Sequence, residues 1–175
     1  MRSFWTFCFA VAFCAGCGEA GDPTTPADPF AGPSVCSSGE IRSINEAESE
    51  EMAPGRACIS CHSDSNAATG ENDAPIFAFA GTVYPTAHEP IDCIGSGSEG
   101  AEIEITDADG RVFKQIVNPA GNFSDDPRQF SYPYRALVRF QGRERAMVAQ
   151  QVIGDCNSCH TEQGDQAAPG RILLP

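Results

Sequence analysis

Hydrophobic positions along the chain fall into three regimes. Phe4 to Ala15 is a continuous apolar run, short for a bilayer span. Glu19 to Ser38 has no hydrophobic period and is rich in Pro, Gly, Asp and Thr, which predicts a flexible tether. Glu40 to Met52 sets Ile41, Ile44 and Met52 among acidic residues, a weak amphipathic helix that Pro54-Gly55 ends. Ser63 to Ala74 is small and polar and predicts a loop. From Ile76 the period changes to two. Ile76 to Tyr84, with Phe77, Phe79, Val83 and Tyr84, predicts a strand, and a Pro/Gly-containing loop follows to Gly100. Ala101 to Thr106 alternates apolar and acidic side chains, the pattern of a strand with one face buried. Asp107 to Gly110 is a turn and Arg111 to Val117 the partner strand. After a second turn at Asn118 to Asn122, Tyr132 to Phe140 and Arg143 to Ala149 pair across Gln141-Gly142.

Chemistry enters at the two ends of this strand-rich region. Cys58-Ile59-Ser60-Cys61-His62 and Cys156-Asn157-Ser158-Cys159-His160 are two copies of Cys-x-x-Cys-His in a chain with 3 histidines. The chain's own Cys and His frequencies give roughly 0.01 such pentapeptides by chance, so two copies need a cause. The spacing is that of c-type haem attachment, in which two thiols bond the haem vinyl groups and the adjacent histidine becomes the proximal iron ligand. Cysteine pairs have three other uses: a structural zinc site, thioredoxin-like redox pairs and ordinary disulfides. Zinc does not require a histidine after each pair, and a redox pair wants a βαβ context that the strand pattern lacks. The expectation is two c-type haems, one on Cys58, Cys61 and His62, the other on Cys156, Cys159 and His160. The expected fold is mainly β: a small antiparallel β-sandwich flanked by two short helical haem-binding segments. The chain then divides into a signal peptide (1–16), the tether (17–39), a first haem-binding segment (40–75), the sandwich (76–150) and a second haem-binding segment with a tail (151–175).

Each iron needs a sixth ligand or an open position. Outside the motifs the remaining histidine is His88, in the loop after the first strand, and the methionines beyond the apolar run are Met52 and Met147. These three are the candidate axial ligands, with core packing the competing use for methionine and solvation the competing state for a loop histidine. An open position would permit peroxidase-like chemistry, but no motif points to an enzyme.

The N-terminus predicts export. Met1-Arg2-Ser3 is a short basic start, and the apolar run ends at Cys14-Ala15-Gly16-Cys17-Gly18. That end resembles a bacterial lipoprotein lipobox, with Cys14 where leucine is usual, which implies lipidation of Cys17 and a membrane anchor. A plain cleaved signal or an uncleaved anchor helix is the alternative. Of the 9 cysteines, Cys36 and Cys93 are then left over. In an oxidising compartment they predict a disulfide, which contributes roughly 4 kcal/mol in the chain-entropy model; two separate buried thiols are the alternative. All 24 acidic residues and 10 of the 11 basic ones lie beyond Cys17. That balance argues against nucleic acid as a partner. It suits solubility beside an anionic membrane and could also steer a basic redox protein partner.

The strand-rich part resembles a known family. Ala80-Gly81-Thr82-Val83-Tyr84, then Gly100 to Gly110, then Gly121-Asn122-Phe123, look like the carboxypeptidase regulatory-like β-sandwich of the transthyretin type, over roughly residues 76 to 148. The resemblance implies an antiparallel scaffold without catalysis. The long acidic, cysteine-bearing loop and the haem motif at each end depart from it. The start Met52-x-Pro54-Gly55-x-x-Cys58-x-x-Cys61-His62, followed by this sandwich, also looks like uncharacterised secreted bacterial haem proteins. Other motifs carry less. Gly95-Ser96-Gly97-Ser98-Glu99-Gly100 opens no helix and carries an acid, so it is a loop. Asp107-x-Asp109-Gly110 lacks the glutamate of a calcium loop.

Together these features predict a di-haem electron carrier of the bacterial cell envelope, lipid-anchored to the outer membrane. The alternative is a haem-free adhesive or ligand-binding β-sandwich lipoprotein. The hairpin at Gln141-Gly142 returns the chain towards where Tyr132 began. It therefore predicts that His62 and His160 lie on one side of the domain, with His88 close to one of them.

Overall fold

The computed structural model describes residues 28–43, 49–70 and 73–175. It is mainly β, with two short helices. In chain order the elements are α1 (Cys58–Thr69), β1 (Phe79–Tyr84), β2 (Glu102–Thr106), β3 (Val112–Ile116), β4 (Asn122–Asp125), β5 (Arg135–Phe140), β6 (Arg143–Ala146), α2 (Cys156–Cys159) and β7 (Ile172–Leu173). A three-stranded sheet of order β4-β1-β7 faces a four-stranded sheet of order β3-β2-β5-β6. All pairings are antiparallel except β1 with β7.

The core lies between the sheets. Phe79 and Val83 of β1, Ile103 and Ile105 of β2, Val138 of β5 and Tyr134 just before it are buried together with Phe123 of β4. Phe113 and Phe130 pack beside Phe79 with ring centroids 5.5–6.3 Å apart, a tilted aromatic cluster. On β2 the period of two sends Ile103 and Ile105 inward and Glu102 and Glu104 outward. There the acids pair with Lys114 of β3 and Arg139 of β5 across the ladder, so the outer face of this sheet is polar.

The strand β1 is buried along its whole length. Phe79 and Val83 enter the core, whereas Thr82 and Tyr84 point to the other face, which the two cysteine-bearing segments cover. A strand covered on both faces is the frame on which the site is built.

Four features differ from the sequence-based expectation. Ser63 to Thr69 continues α1 instead of forming a loop; no residue of α1 is buried, so the helix has no apolar stripe to betray it. The described parts of 40–52 form a bridge and turns, not a helix, and 44–48 lie outside the described residues. Residues 28–39, expected as tether, are fastened to the domain. The Cys36–Cys93 disulfide, the Ser37 N–H to Glu89 Oε2 bond of 2.9 Å and the His88 Nε2 contact to the Phe30 carbonyl of 2.8 Å hold them. The expected tail returns as β7 and pairs with Val83 and Tyr84 of β1. The lipobox and Cys17 lie outside the described residues. Among the described residues no helix is long and apolar enough to cross a membrane.

Candidate functional site: two cysteine-histidine segments on one strand

The first segment begins with a sharp bend. Gly55 has φ of 78°, and a Cβ there would stand 2.6 Å from Tyr84 Oη, so only glycine fits. Its N–H donates to Thr82 Oγ1 at 2.9 Å. The helix α1 then starts at Cys58 with no side-chain cap from Ala57. The capping oxygen comes from far along the chain. Asp155 Oδ2 accepts the Ser60 N–H at 2.9 Å and the Ser60 hydroxyl at 3.0 Å, at the helix end where a carboxylate is favoured. Gly70, left-handed with φ of 73°, closes the helix by donating its N–H to the Asn66 carbonyl.

The second segment is a single turn. The Ser158 and His160 N–H groups donate to the carbonyls of Asp155 and Cys156, at 3.1 and 2.9 Å. Asn157, between the two cysteines, is buried at 2% exposure. Its Nδ2 donates to the Arg56 carbonyl at 2.8 Å and to Thr82 Oγ1 at 3.0 Å, and its Oδ1 accepts the Thr82 N–H at 3.0 Å. Nδ2 also lies 3.8 Å from Cys58 Sγ. The variable positions of the two motifs are thus what dock them: Ser60 of one against Asp155 beside the other, and Asn157 of the other against Arg56 and Cys58. The two motifs meet at β1: Asn157 lies on its Thr82 side, while Cys156 packs against the core beside Gly81.

The three histidines divide by their hydrogen bonds. His62 Nδ1 lies 2.7 Å from the Pro75 carbonyl, with its ring against Phe77 at 5.2 Å between centroids. His160 Nδ1 lies 2.9 Å from the Gly170 carbonyl. A carbonyl only accepts, so Nδ1 is the donor in both, which leaves Nε2 as the ring nitrogen available to a ligand. That arrangement is what a metal-ligating histidine needs, its other ring nitrogen fixed by an acceptor. Burial lowers the His160 pKa, which keeps the imidazole neutral. His88 differs. Its Nδ1 lies 2.6 Å from the Glu162 carbonyl and its Nε2 2.8 Å from the Phe30 carbonyl. Both nitrogens then donate, no lone pair is left, and the carbonyl of Glu162 first and that of Phe30 second raise its pKa. His88 is close to His160 through Gly170, whose missing Cβ would stand 3.4 Å from the His88 ring.

The four motif cysteines are half-buried and free. Burial pushes the thiols of Cys58 and Cys156 up to about 12, so both rest as neutral S–H groups. Zinc ligands and redox-active cysteines are thiolates with lowered pKa. The motif sulfurs also do not converge. Among the described residues, the one set of three such side chains with ligand atoms within 4.8 Å is Cys36, Glu89 and Cys93. There the two sulfurs are joined to each other.

Beside the second segment a cleft of about 400 Å³ opens between the sheets, a size usual for cofactor sites, which run roughly from 300 to 1,000 Å³. Cys156, Cys159 and His160 line it together with Met147, Tyr134, Ile172 and Leu173. Met147 therefore shares a cavity with His160. Met52 does not line this cleft; it is half-buried, with its carbonyl accepting from Asn122 Nδ2 at 3.0 Å.

Two residues of this arrangement lie outside both motifs, Thr82 and Asp155, and the role of Asn157 is not set by the motif that contains it. Thr82 is the polar interruption in an apolar strand, and that interruption is its only signal. Comparison with protein-family models, with curated proteins and with solved structures finds no match to this chain.

Proposed function

We propose that this chain is a c-type electron-transfer protein of the bacterial envelope, carrying two covalently bound haems and anchored through a lipid on Cys17. The observation that carries the reading is the pairing of each Cys-x-x-Cys with a histidine whose Nδ1–H is spent on a backbone carbonyl, which leaves Nε2 for iron. The residues fit the group. Cys58 and Cys61 would hold one haem with His62 as proximal ligand; Cys156 and Cys159 would hold the other with His160. The neutral thiols of Cys58 and Cys156 suit addition across a vinyl double bond. An apolar cleft adjoins the second segment, and Met147, which lines it with His160, would offer its thioether to the iron. Bound haem supplies a one-electron couple. The protein's part is to fix the proximal imidazoles, keep water from the inner site and hold the two attachment segments in contact at Asn157 and Cys58. A redox protein is the expected partner, with the acidic surface available to steer a basic one.

The test is intact mass and a pyridine haemochrome spectrum of the chain produced in a cell with c-type maturation. Two haem increments are expected, falling to one when Cys58 and Cys61 are both replaced by Ala. A chain without haem overturns the reading. The apolar cleft would then favour the second reading, a haem-free ligand-binding β-sandwich lipoprotein.

A further inference from the structure

Glu89, in the loop between β1 and β2, is a fully buried acid at 0% exposure. Its Oε1 accepts the Thr86 hydroxyl at 2.6 Å and its Oε2 accepts the Ser37 N–H at 2.9 Å. Among the described residues no cation stands within ion-pair distance of it. A buried carboxylate without a cation is costly. A carboxylate offers about four lone-pair sites, so these two hydrogen bonds leave it further capacity to accept. Beside that capacity lie two sulfurs. A carboxylate oxygen of Glu89 and the sulfurs of Cys36 and Cys93 are all within 4.8 Å of one another. Cys93 is buried and Cys36 half-buried.

A disulfide carries no charge and gains nothing from a buried acid next to it. Two thiolates with a carboxylate, by contrast, are a donor set for a zinc-class cation. The frame that brings the three together does not depend on the bond between the sulfurs. The Arg42 N–H donates to the Asp92 carbonyl at 2.7 Å and the Ile94 N–H to the Glu40 carbonyl at 3.1 Å, on either side of the Ile41–Cys93 bridge. The Asp92 carboxylate in turn holds the Arg56 guanidinium at 2.7 and 2.8 Å. Both cysteine-bearing segments therefore stay abreast when the disulfide opens. The Cys36 and Cys93 Cα atoms are 5.5 Å apart. Side-chain rotation alone can set the sulfurs at roughly 3.8 Å, the span of two Zn–S bonds of about 2.3 Å at a tetrahedral ion. For a fourth ligand, the Glu40 carbonyl lies 3.3 Å and the Ser38 hydroxyl 3.5 Å from Cys36 Sγ.

We propose that Cys36, Cys93 and Glu89 form a redox-gated site for a zinc-class divalent cation. In the oxidised chain the site is closed as the disulfide. A dithiol reductant opens it: its two thiols give two electrons and two protons to the S–S bond and leave joined as a cyclic disulfide, with attack falling on the more exposed Cys36. The cation then displaces the two thiol protons into solvent and bonds both thiolates and a Glu89 oxygen. The metal takes over from the disulfide the task of clasping residues 28–43 to the domain, and it supplies the buried carboxylate with its cation. The site lies apart from both Cys-x-x-Cys-His segments and stands whether or not they carry haem.

The test compares the mature chain as produced with the same chain reduced by dithiothreitol and desalted without oxygen. Zinc is titrated into each against a chromophoric chelator. Reduction is expected to add one zinc per chain. The double variant with Cys36→Ser and Cys93→Ser, treated identically, should gain none, which accounts for any zinc on the motif thiols. Glu89→Gln should weaken the added zinc at least tenfold, the loss that removing a partner one shell further out already causes. Cadmium-113 supplies a readout of the ligands themselves, since its resonance position reports how many sulfurs it touches. The reduced wild type should show a resonance for two sulfurs with oxygen, missing from the oxidised chain and from the double variant. No zinc gained on reduction beyond that of the double variant overturns the proposal, as does an unchanged affinity in Glu89→Gln. If Glu89→Gln does not fold, the cadmium resonance of the wild type decides. A two-sulfur, oxygen-bearing position supports the site, and a three- or four-sulfur position overturns it.

Discussion

Replacing Asn157 by Ala tests how the two segments are joined without touching a cysteine or a histidine. The side chain is 2% exposed and makes three hydrogen bonds of 2.8–3.0 Å to Arg56 and Thr82. Each neutral hydrogen bond contributes about 1 kcal/mol net, and the buried Thr82 N–H and Arg56 carbonyl left behind add a desolvation cost, so a loss of about 3 kcal/mol is expected. In a domain of this size that lowers Tm by about 6–12 °C. Urea unfolding with the Cys36–Cys93 disulfide intact measures it, provided the m-value is unchanged. The Thr82→Val variant completes a double-mutant cycle, and because the two side chains share the Nδ2-to-Oγ1 bond the effects should be non-additive by about 1 kcal/mol. On the di-haem reading haem content should not change, since Asn157 is not one of the proposed attachment residues. A loss below about 1 kcal/mol, or strict additivity with Thr82→Val, refutes the docking role.

Two further outcomes follow from the geometry. His88 is charged while it bridges the carbonyls of Glu162 and Phe30, and its pKa in the fold is raised above the ordinary 6.5. Its contribution is fully present below pH 6.5 and is lost as pH rises through the folded value; His88→Ala should flatten that part of the stability-versus-pH curve, and an unchanged curve refutes the bridge. Cys17→Ser should move the chain from the membrane to the soluble fraction, and unchanged partition counts against the anchor.

What was legible in the sequence was what repeats. Alternation exposed β2 and β3, the apolar residues of 76–84 exposed β1, which is buried on both faces, and the Gln141-Gly142 turn exposed the hairpin of β5 and β6. β4 escaped because only Phe123 of Asn122–Asp125 is buried, and β7 because two residues carry no period. Its pairing with β1 is a long-range event that no local pattern encodes. The seven residues Ser63 to Thr69 escaped as helix because all but the half-buried Asn66 are exposed, and periodicity detects only a buried stripe. The Cys-x-x-Cys-His spacing marked the site itself. The residues that assemble it are single polar side chains, and a buried polar residue becomes visible only when its partner is known.

The mutual dependence of the two segments follows from the chemistry of α1. Twelve residues containing three serines, an asparagine, an aspartate, a histidine and a threonine make a helix that is marginal in water. No residue of it is buried, and the residue before it supplies no cap. Its first turn is held instead by Asp155, 95 positions away, and Asp155 is held by its bridge to Ala80 of β1. Order in the first segment therefore requires that the chain has already returned across the sandwich and set the second segment on the same strand. Thr82, bonded to Gly55 before the first motif and to Asn157 inside the second, lies where those requirements meet. The segments are thus joined directly, at Ser60–Asp155 and Asn157–Arg56, and again through Thr82 of β1. For this reason the pair, and not each motif singly, is the unit on which electron exchange between two attached groups would depend.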